Sequence, residues 1–400
     1  MSALIFSNRS GNKDVAGMIP FISVKTPSCL TLMDSFLEIE QMGIHSNYGP
    51  KNTLFEDRLQ GLYFGGQGSC LTVCNATIGL MIAMKMAGRR RTCSVSQRYA
   101  LMPAFTFAAA AHAAIWAGYT PLFCDIDPAT WAACPVSERR MIEKYGDSID
   151  LIVPYATFGN SIDLAHYAAL HEETGAGIVV DAAASLGALD ENGIGFGSGF
   201  AHPIVFSMHA TKTFGIGEGG VIYSGNPDHI AVLRVMGNFG FGEPRTATIP
   251  GLNSKMTEFS AAIALACLTT MEDVATRRSA LADCYFRTLP IDFEMQKPRG
   301  HRRSYQFMPV LLPEGCCRNA VREQLSSQGI GTGAYFSPHL MEQPYFSGLC
   351  EADDLTVTEN VSRRVMSLPL WTDMTMEMVG TVCQALENVL VPASMSRVAA

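Results

Sequence analysis

Lys212 lies within SMHATKTFGIGEGG, residues 207–220, directly after the apolar run Pro203-Ile204-Val205-Phe206. That run reads as a buried strand, so the lysine stands among small residues just past a strand's end. In such a place an ammonium loses hydration, its pKa falls, and the neutral amine can condense with a carbonyl compound. The residue alone is ambiguous, because most lysines are solvated surface charges. Asp181 closes the run Gly177-Ile178-Val179-Val180 and sets a carboxylate at the carboxyl end of a central strand, the edge at which α/β sheets bind ligands. It is also a candidate N-cap for the helix-friendly Ala182-Ala183-Ala184.

Val73-Cys74-Asn75-Ala76-Thr77 leads from a strand into a helix over 78–86, and small residues at a helix start leave backbone N–H groups for an anion. The Thr77 hydroxyl adds a donor, and Ser207, at the end of the strand before Lys212, supplies another. PAFTF, residues 103–107, places Phe105 and Phe107 just past a further strand end; either is a flat apolar surface for a ligand or ordinary core. A lysine, an anion beside a ring nitrogen, a flat apolar face and donors for a phosphate dianion are what pyridoxal 5'-phosphate (PLP) requires of a protein.

The elements that would position these groups follow from hydrophobic periodicity. Candidate strands cover 71–73, 99–102, 121–126, 151–155, 177–181, 204–207 and 220–224, with helices between several of them at 77–86, 107–116 and 164–174. Strand–helix alternation of this kind predicts an α/β fold with a mainly parallel sheet covered on both faces. Past about residue 268 the pattern changes to a charged helix over 270–284, a β-like 305–312, a helix over 319–328 and a last helix around 376–386. That region reads as a smaller α+β domain. The glycine-rich GIGFGSG, 193–199, does not join a strand to a helix start, so it reads as a turn or hairpin and not as a dinucleotide loop.

Composition narrows the class. The chain has 400 residues, 48% hydrophobic and 16% charged, with a formal net charge of −8, which suits a compact enzyme and argues against nucleic-acid binding. Arg89-Arg90-Arg91 follows a helix, where it suits the negative end of the dipole. The twelve cysteines show no CxxC pair, so reduced thiols of a cytoplasmic protein are expected, with no structural metal. The uncharged stretch 100–124 is long enough to span a bilayer, but Pro103, His112, Gly118 and Pro121 interrupt it and its alanines suit a tightly packed core helix; no membrane association is expected. The N-terminus shows no signal-peptide pattern.

The order of these pieces resembles the DegT/DnrJ/StrS sugar aminotransferases. The resemblance rests on NYGP (47–50), the turn at Ala76-Thr77, PAFTF, DIDPATW (125–131), VVDAAASLGA, SMHATKTFGIGEGG and GLNSKMTEFSAAIAL (251–265), and runs from about residue 19 to 390. It implies a fold-type-I PLP-dependent transferase with a mainly parallel, seven-stranded sheet sandwiched by helices. An N-terminal segment 1–30 would pack on a small domain 269–400, and 31–268 would bind the cofactor. It also implies roles: Lys212 carries the cofactor and Asp181 partners its ring nitrogen. Phe107 stacks on the ring, Ala76, Thr77 and Ser207 bind the phosphate, and Asn253 reaches that phosphate from the neighbouring subunit of a homodimer with shared sites. Three positions depart from the family's pattern. Ala184, followed by Ser185, stands where the family commonly has Gln or His, Gly237-Asn238-Phe239-Gly240 replaces RNHG, and the usual histidine near Ala156 is missing. A related deoxygenating branch carries histidine in place of the lysine, and Lys212 excludes it.

The resemblance therefore implies transfer of an amino group from L-glutamate to a keto sugar, a nucleotide-linked keto-hexose being the expected acceptor. A cyclitol or other carbocyclic ketone is the alternative, and a non-catalytic PLP-binding regulatory protein is a different class, against which the intact Lys212 and Asp181 count. Arg299, His301, Arg302 and Arg303 form a basic cluster that would meet a diphosphate if it were free, or is a solvated loop.

Overall fold

The computed structural model describes residues 18–89, 97–290 and 293–395. Arg90, Arg91 and most of the 1–30 segment lie outside the described residues. The strands are β1 (Ser69–Val73), β2 (Tyr99–Pro103), β3 (Thr120–Cys124), β4 (Ile149–Ile152), β5 (Gly177–Ile178), β6 (Val180–Asp181), β7 (Ile204–Ser207), β8 (Gly220–Ser224), β9 (Glu294–Met295), β10 (Met308–Leu311), β11 (Glu351–Ala352) and β12 (Val365–Leu368).

β5 and β6 are one run through Val179, whose N–H bonds Ile152 O, so two hydrogen-bonded groups join into one sheet of order β1-β8-β7-β6/β5-β4-β2-β3-β11. All seven expected strands are present. β8 is antiparallel to both neighbours, while β7, β6/β5, β4, β2, β3 and β11 run parallel. β11 was not expected: two residues from the C-terminal third pair with β3 and extend the edge of the main sheet. A dipeptide strand is too short to leave a periodic signal.

The strands are buried on both faces, as a parallel sheet under helices must be. In β2, Tyr99 and Leu101 join the core on one face while Ala100 and Met102 join the other. The stretch 100–124 resolves into β2, the helix Ala108–Ala117 and β3. Alanine has the best helix propensity and a thin side chain, so this helix can lie close against the helix Ala76–Ala87. Gly118 stops it in the left-handed region at φ 95°, returning its N–H to Ala114 O and Ile115 O, a conformation glycine adopts without strain. Among the described residues no single helix is long and apolar enough to cross a membrane.

A second core gathers residues of the helices Met271–Thr288, Arg318–Ser327 and Met376–Met395 with β10 and β12, among them Leu281, Tyr285, Val310, Leu325, Met366 and Leu386. Ile19 belongs to this core and bridges Ile330. The sheet here is antiparallel, in the order β12-β10-β9. Between the two cores lies an aromatic cluster of Phe105, Trp131, Tyr155, Phe158, Phe307 and Phe336. The 193–199 stretch lies in a hairpin closed by a Leu189–Gly195 bridge. Eleven free thiols occur among the described residues.

Candidate active site

Asp181 ends β6 and is paired in register with Val205 of β7. β7 then delivers Ser207 and, after a tight loop, Lys212. The loop is held locally: Lys212 N bonds His209 O, Ala210 N bonds Gly217 O and Met208 N bonds Gly219 O. Two parallel strands that end together therefore bring a carboxylate and an amine to one edge.

Their electrostatics are mutual. Burial drags the Lys212 amine down to about 8, against a smaller upward pull from Asp181. Burial pushes the Asp181 carboxyl up to about 6, opposed by the Ala183 N–H and by Lys212. Asp181 is 2% exposed and its Oδ1 accepts the Ala183 N–H at 3.0 Å. That bond resembles a cap, yet no helix follows Asp181, so the ordinary N-cap alternative does not hold. Lys212 has a neutral amine within reach of ordinary pH, as a nucleophile or proton carrier needs.

The start of the helix Ala76–Ala87 is equally explicit. The helix Ala76–Ala87 begins at Ala76, with Asn75 as N-cap, and the Asn75 side chain accepts Ile78 N at 2.9 Å. That cap consumes the third amide of the first turn and leaves the Ala76 and Thr77 amides without an intrahelical acceptor. A Cβ built on Gly220 would come within 2.9 Å of Ala76 N, so the glycine keeps this helix start clear. Bare amides at the positive end of a helix dipole suit an anion. Ser207, 7% exposed, lies on the strand that pairs with Gly220.

The two phenylalanines of PAFTF separate cleanly. Phe105 is fully buried in the aromatic cluster, while Phe107 is 57% exposed. The ring with an open face is thus Phe107, beside Phe336 at 6.4 Å between centroids. A half-buried amine, a buried carboxylate, a cleared helix start and an outward aromatic face together fit PLP.

Asn253 is not brought to this group within the chain. It is exposed, bridges Asn238, and its Oδ1 accepts Lys255 N at 3.4 Å. Lys255 in turn donates to Asn238 Oδ1 at 3.0 Å and lies over the Phe239 ring.

Two of the divergent positions are packing positions. Ala156 is fully buried and its N–H bonds Asp181 O. Ala184 is 4% exposed, and the buried Ser185 hydroxyl has no hydrogen-bond partner among the described residues. Sequence reasoning missed two neighbours. Tyr155 bridges Asp181, and burial, with the carboxylate adding to it, pushes its phenol far up; its place at the end of the expected strand 151–155 is a usable signal. Gln306, which accepts from Lys212 Nζ at 3.1 Å, had none.

The basic cluster is not free, contrary to the diphosphate expectation. Arg299 pairs with Asp163 and approaches Glu191. Arg302 forks onto Glu272 and donates to Gly187 O. Arg303 is 4% exposed and donates to Gln296 Oε1 at 2.6 Å. Acids distant in sequence supply the counter-charge that local composition did not show.

Comparison with known proteins agrees with the geometry. The model of the DegT/DnrJ/EryC1/StrS aminotransferase family matches residues 31–387. Protein Rv3402c of Mycobacterium tuberculosis H37Rv is 33% identical over 382 residues, covering 92% of this chain and 90% of its own. The crystal structure of a Bacillus cereus ATCC 10987 protein assigned as a PLP-dependent aminotransferase superposes with a TM-score of 0.87 at 38% identity, covering 92% of this chain and all of that one (100%). DesI, solved in the presence of its TDP-sugar product, gives 0.82 at 28% identity, covering 95% and 96%.

Proposed function

Because the chain belongs to the DegT/DnrJ/EryC1/StrS family of PLP-dependent aminotransferases, we propose that it transfers the amino group of L-glutamate to a nucleotide-linked keto-hexose. The observation that carries this reading is the placing of the half-buried Lys212 and the buried Asp181 within each other's field past adjacent strand ends. When bound, PLP supplies an aldehyde for primary amines and a ring that accepts the electrons released at a substrate's Cα.

The chain's own residues then divide the work. Lys212 would hold the cofactor's aldehyde through Nζ, and its amine, when free, would take the donor's Cα proton and carry a proton the opposite way when the keto sugar is aminated. Asp181 keeps a proton on the ring nitrogen, being a carboxylate fixed in a low-dielectric site. The amides of Ala76 and Thr77, with the Thr77 and Ser207 hydroxyls, take the phosphate. Phe107 covers one ring face. Residues 31–268 form the cofactor-binding unit, to whose sheet β11 adds an edge strand, and the rest of 269–400 the small domain.

Asn253, exposed on its own chain, serves the phosphate of a second copy, so the active unit is a homodimer with two shared sites. That DesI was solved in the presence of its TDP-sugar product supports the nucleotide-linked acceptor. The free thiols suit a cytoplasmic, reducing setting.

The test is direct. Purified protein with PLP and L-glutamate is offered a nucleoside-diphosphate keto-hexose, the corresponding free keto sugar and scyllo-inosose, with products identified by mass spectrometry. Amination of the nucleotide-linked sugar alone is expected. Equal turnover of the carbocycle would replace this reading with the cyclitol one.

A further inference from the structure

A cavity of about 320 Å3 adjoins Lys212, lined also by Gln306, Arg278, Trp371 and residues 22–27. None of Ala76, Thr77, Phe107, Asp181, Ser207 or Asn253 lines it. Lys212 therefore faces a space that the other candidate cofactor residues do not line. In this structure Nζ donates to Gln306 Oε1 at 3.1 Å. Gln306 Nε2 donates to Thr211 Oγ1 at 3.3 Å, which fixes the end of the amide that faces the amine. Arg278 Nη1 donates to the Gln306 carbonyl at 3.3 Å, tying that backbone to the helix Met271–Thr288.

We propose that Gln306 is a positioning residue that receives the Lys212 amine each time it leaves the cofactor. This rests on the aminotransferase reading, in which Lys212 must be free for part of every turnover and must return to the same carbon. The residue type matters. A carboxylate at this place would hold the amine as ammonium, useless for taking a proton. An apolar side chain would leave the amine without that partner in a half-buried site. A neutral acceptor, locked by Thr211, orients the amine without pinning its charge. The charged groups around it are Asp181 on the strand side and, from the cavity walls, Arg278 and Lys25.

The experiment reads Lys212 directly. Full-length protein stripped of cofactor is treated with acetic anhydride across a pH range, and acetylation at Lys212 is quantified by peptide mass spectrometry. Gln306→Glu is expected to move the midpoint up by about one pH unit and Gln306→Leu to move it down. In the loaded enzyme, Gln306→Leu is expected to lower kcat about tenfold, the size of one lost hydrogen bond, with KM for glutamate and acceptor within about twofold of wild type. If the leucine variant does not fold, the near-isosteric Gln306→Glu carries the test. Identical midpoints in wild type and variant of equal melting temperature, or a loss confined to KM, overturn the proposal. The midpoint needs no acceptor, so an error about the sugar leaves this result intact.

Discussion

Asp181 and Asn253 are proposed to serve one cofactor, yet their settings are opposite. Asp181 is 2% exposed at the end of a central strand, fixed by β7 on one side and by the Tyr155 bridge on the other. Asn253 is exposed on a loop whose contacts stay local, with Asn238, Lys255 and the 45% exposed Phe239 around it. The first region is complete in one chain because adjacent parallel strands end at the same level and helices seal both faces. The second has polar and aromatic groups turned outward, an arrangement that gains a use when another molecule covers it. A single chain can thus preorganise charge deep in its sheet, while the proposed dimer would finish the rim.

The sharpest way to break that contrast is Lys212→Ala. Transamination is expected to fall by at least about a thousandfold, because nucleophile and proton carrier vanish together, and the borohydride-reducible attachment of cofactor to protein should vanish with it. Residual amination near wild type would remove the buried region from the chemistry altogether.

Asp181→Asn probes the same region by charge alone. Volume is retained, so melting should change little, but activity should drop about a hundredfold or more as fixed charge is lost from a low-dielectric site. The pH response has a definite sign. The neutral amine of Lys212 captures cofactor, so in stripped protein the capture rate should rise with pH through about 8. Asp181 is the charge that pulls this pKa up, hence the asparagine variant should capture with a lower midpoint. An upward shift of that midpoint would contradict the mutual field of the two groups.

For the exposed region, Asn253→Ala should weaken cofactor retention about tenfold, the scale of a hydrogen bond to a charged group, and leave folding unaffected. At a cofactor concentration that leaves Asn253→Ala sites largely empty, mixing Lys212→Ala chains with Asn253→Ala chains should restore part of the activity, since one site per mixed dimer keeps both residues. A fully active monomer in sedimentation, or no recovery on mixing, would return Asn253 to the status of a plain loop residue.

The smallest effect is expected at Arg302→Ala. Its pairing with the largely exposed Glu272 is worth about 1 kcal/mol or less, so a slight fall in melting temperature and an unchanged KM for the acceptor are expected. A large rise in acceptor KM would show that the basic cluster serves a substrate as well as Glu272.

Much of this could be read before any coordinates. The strands over 71–73, 99–102, 177–181, 204–207 and 220–224 declare themselves because a strand buried on both faces is a short, continuous apolar run, and the chain writes that pattern locally. Lys212, Asp181 and Ala76-Thr77 are legible for a related reason: each stands where such a run ends, and strand ends are where this architecture exposes chemistry. The division between Phe105 and Phe107 was not legible, since both rings follow the same strand and only packing against Phe158 and Phe336 decides which one is core. Nor was the fate of Arg302 and Arg303, whose partners lie 30 and 7 residues away, or the meeting of Gln306 with Lys212 across 94 residues. Periodicity and turn chemistry act over a few residues, so the sequence by itself determined which elements form and which reactive groups sit at their ends. Desolvation and pairing depend on what the completed fold brings alongside, and only the tertiary structure decided which of those groups are buried, which are neutralised and which remain free to act.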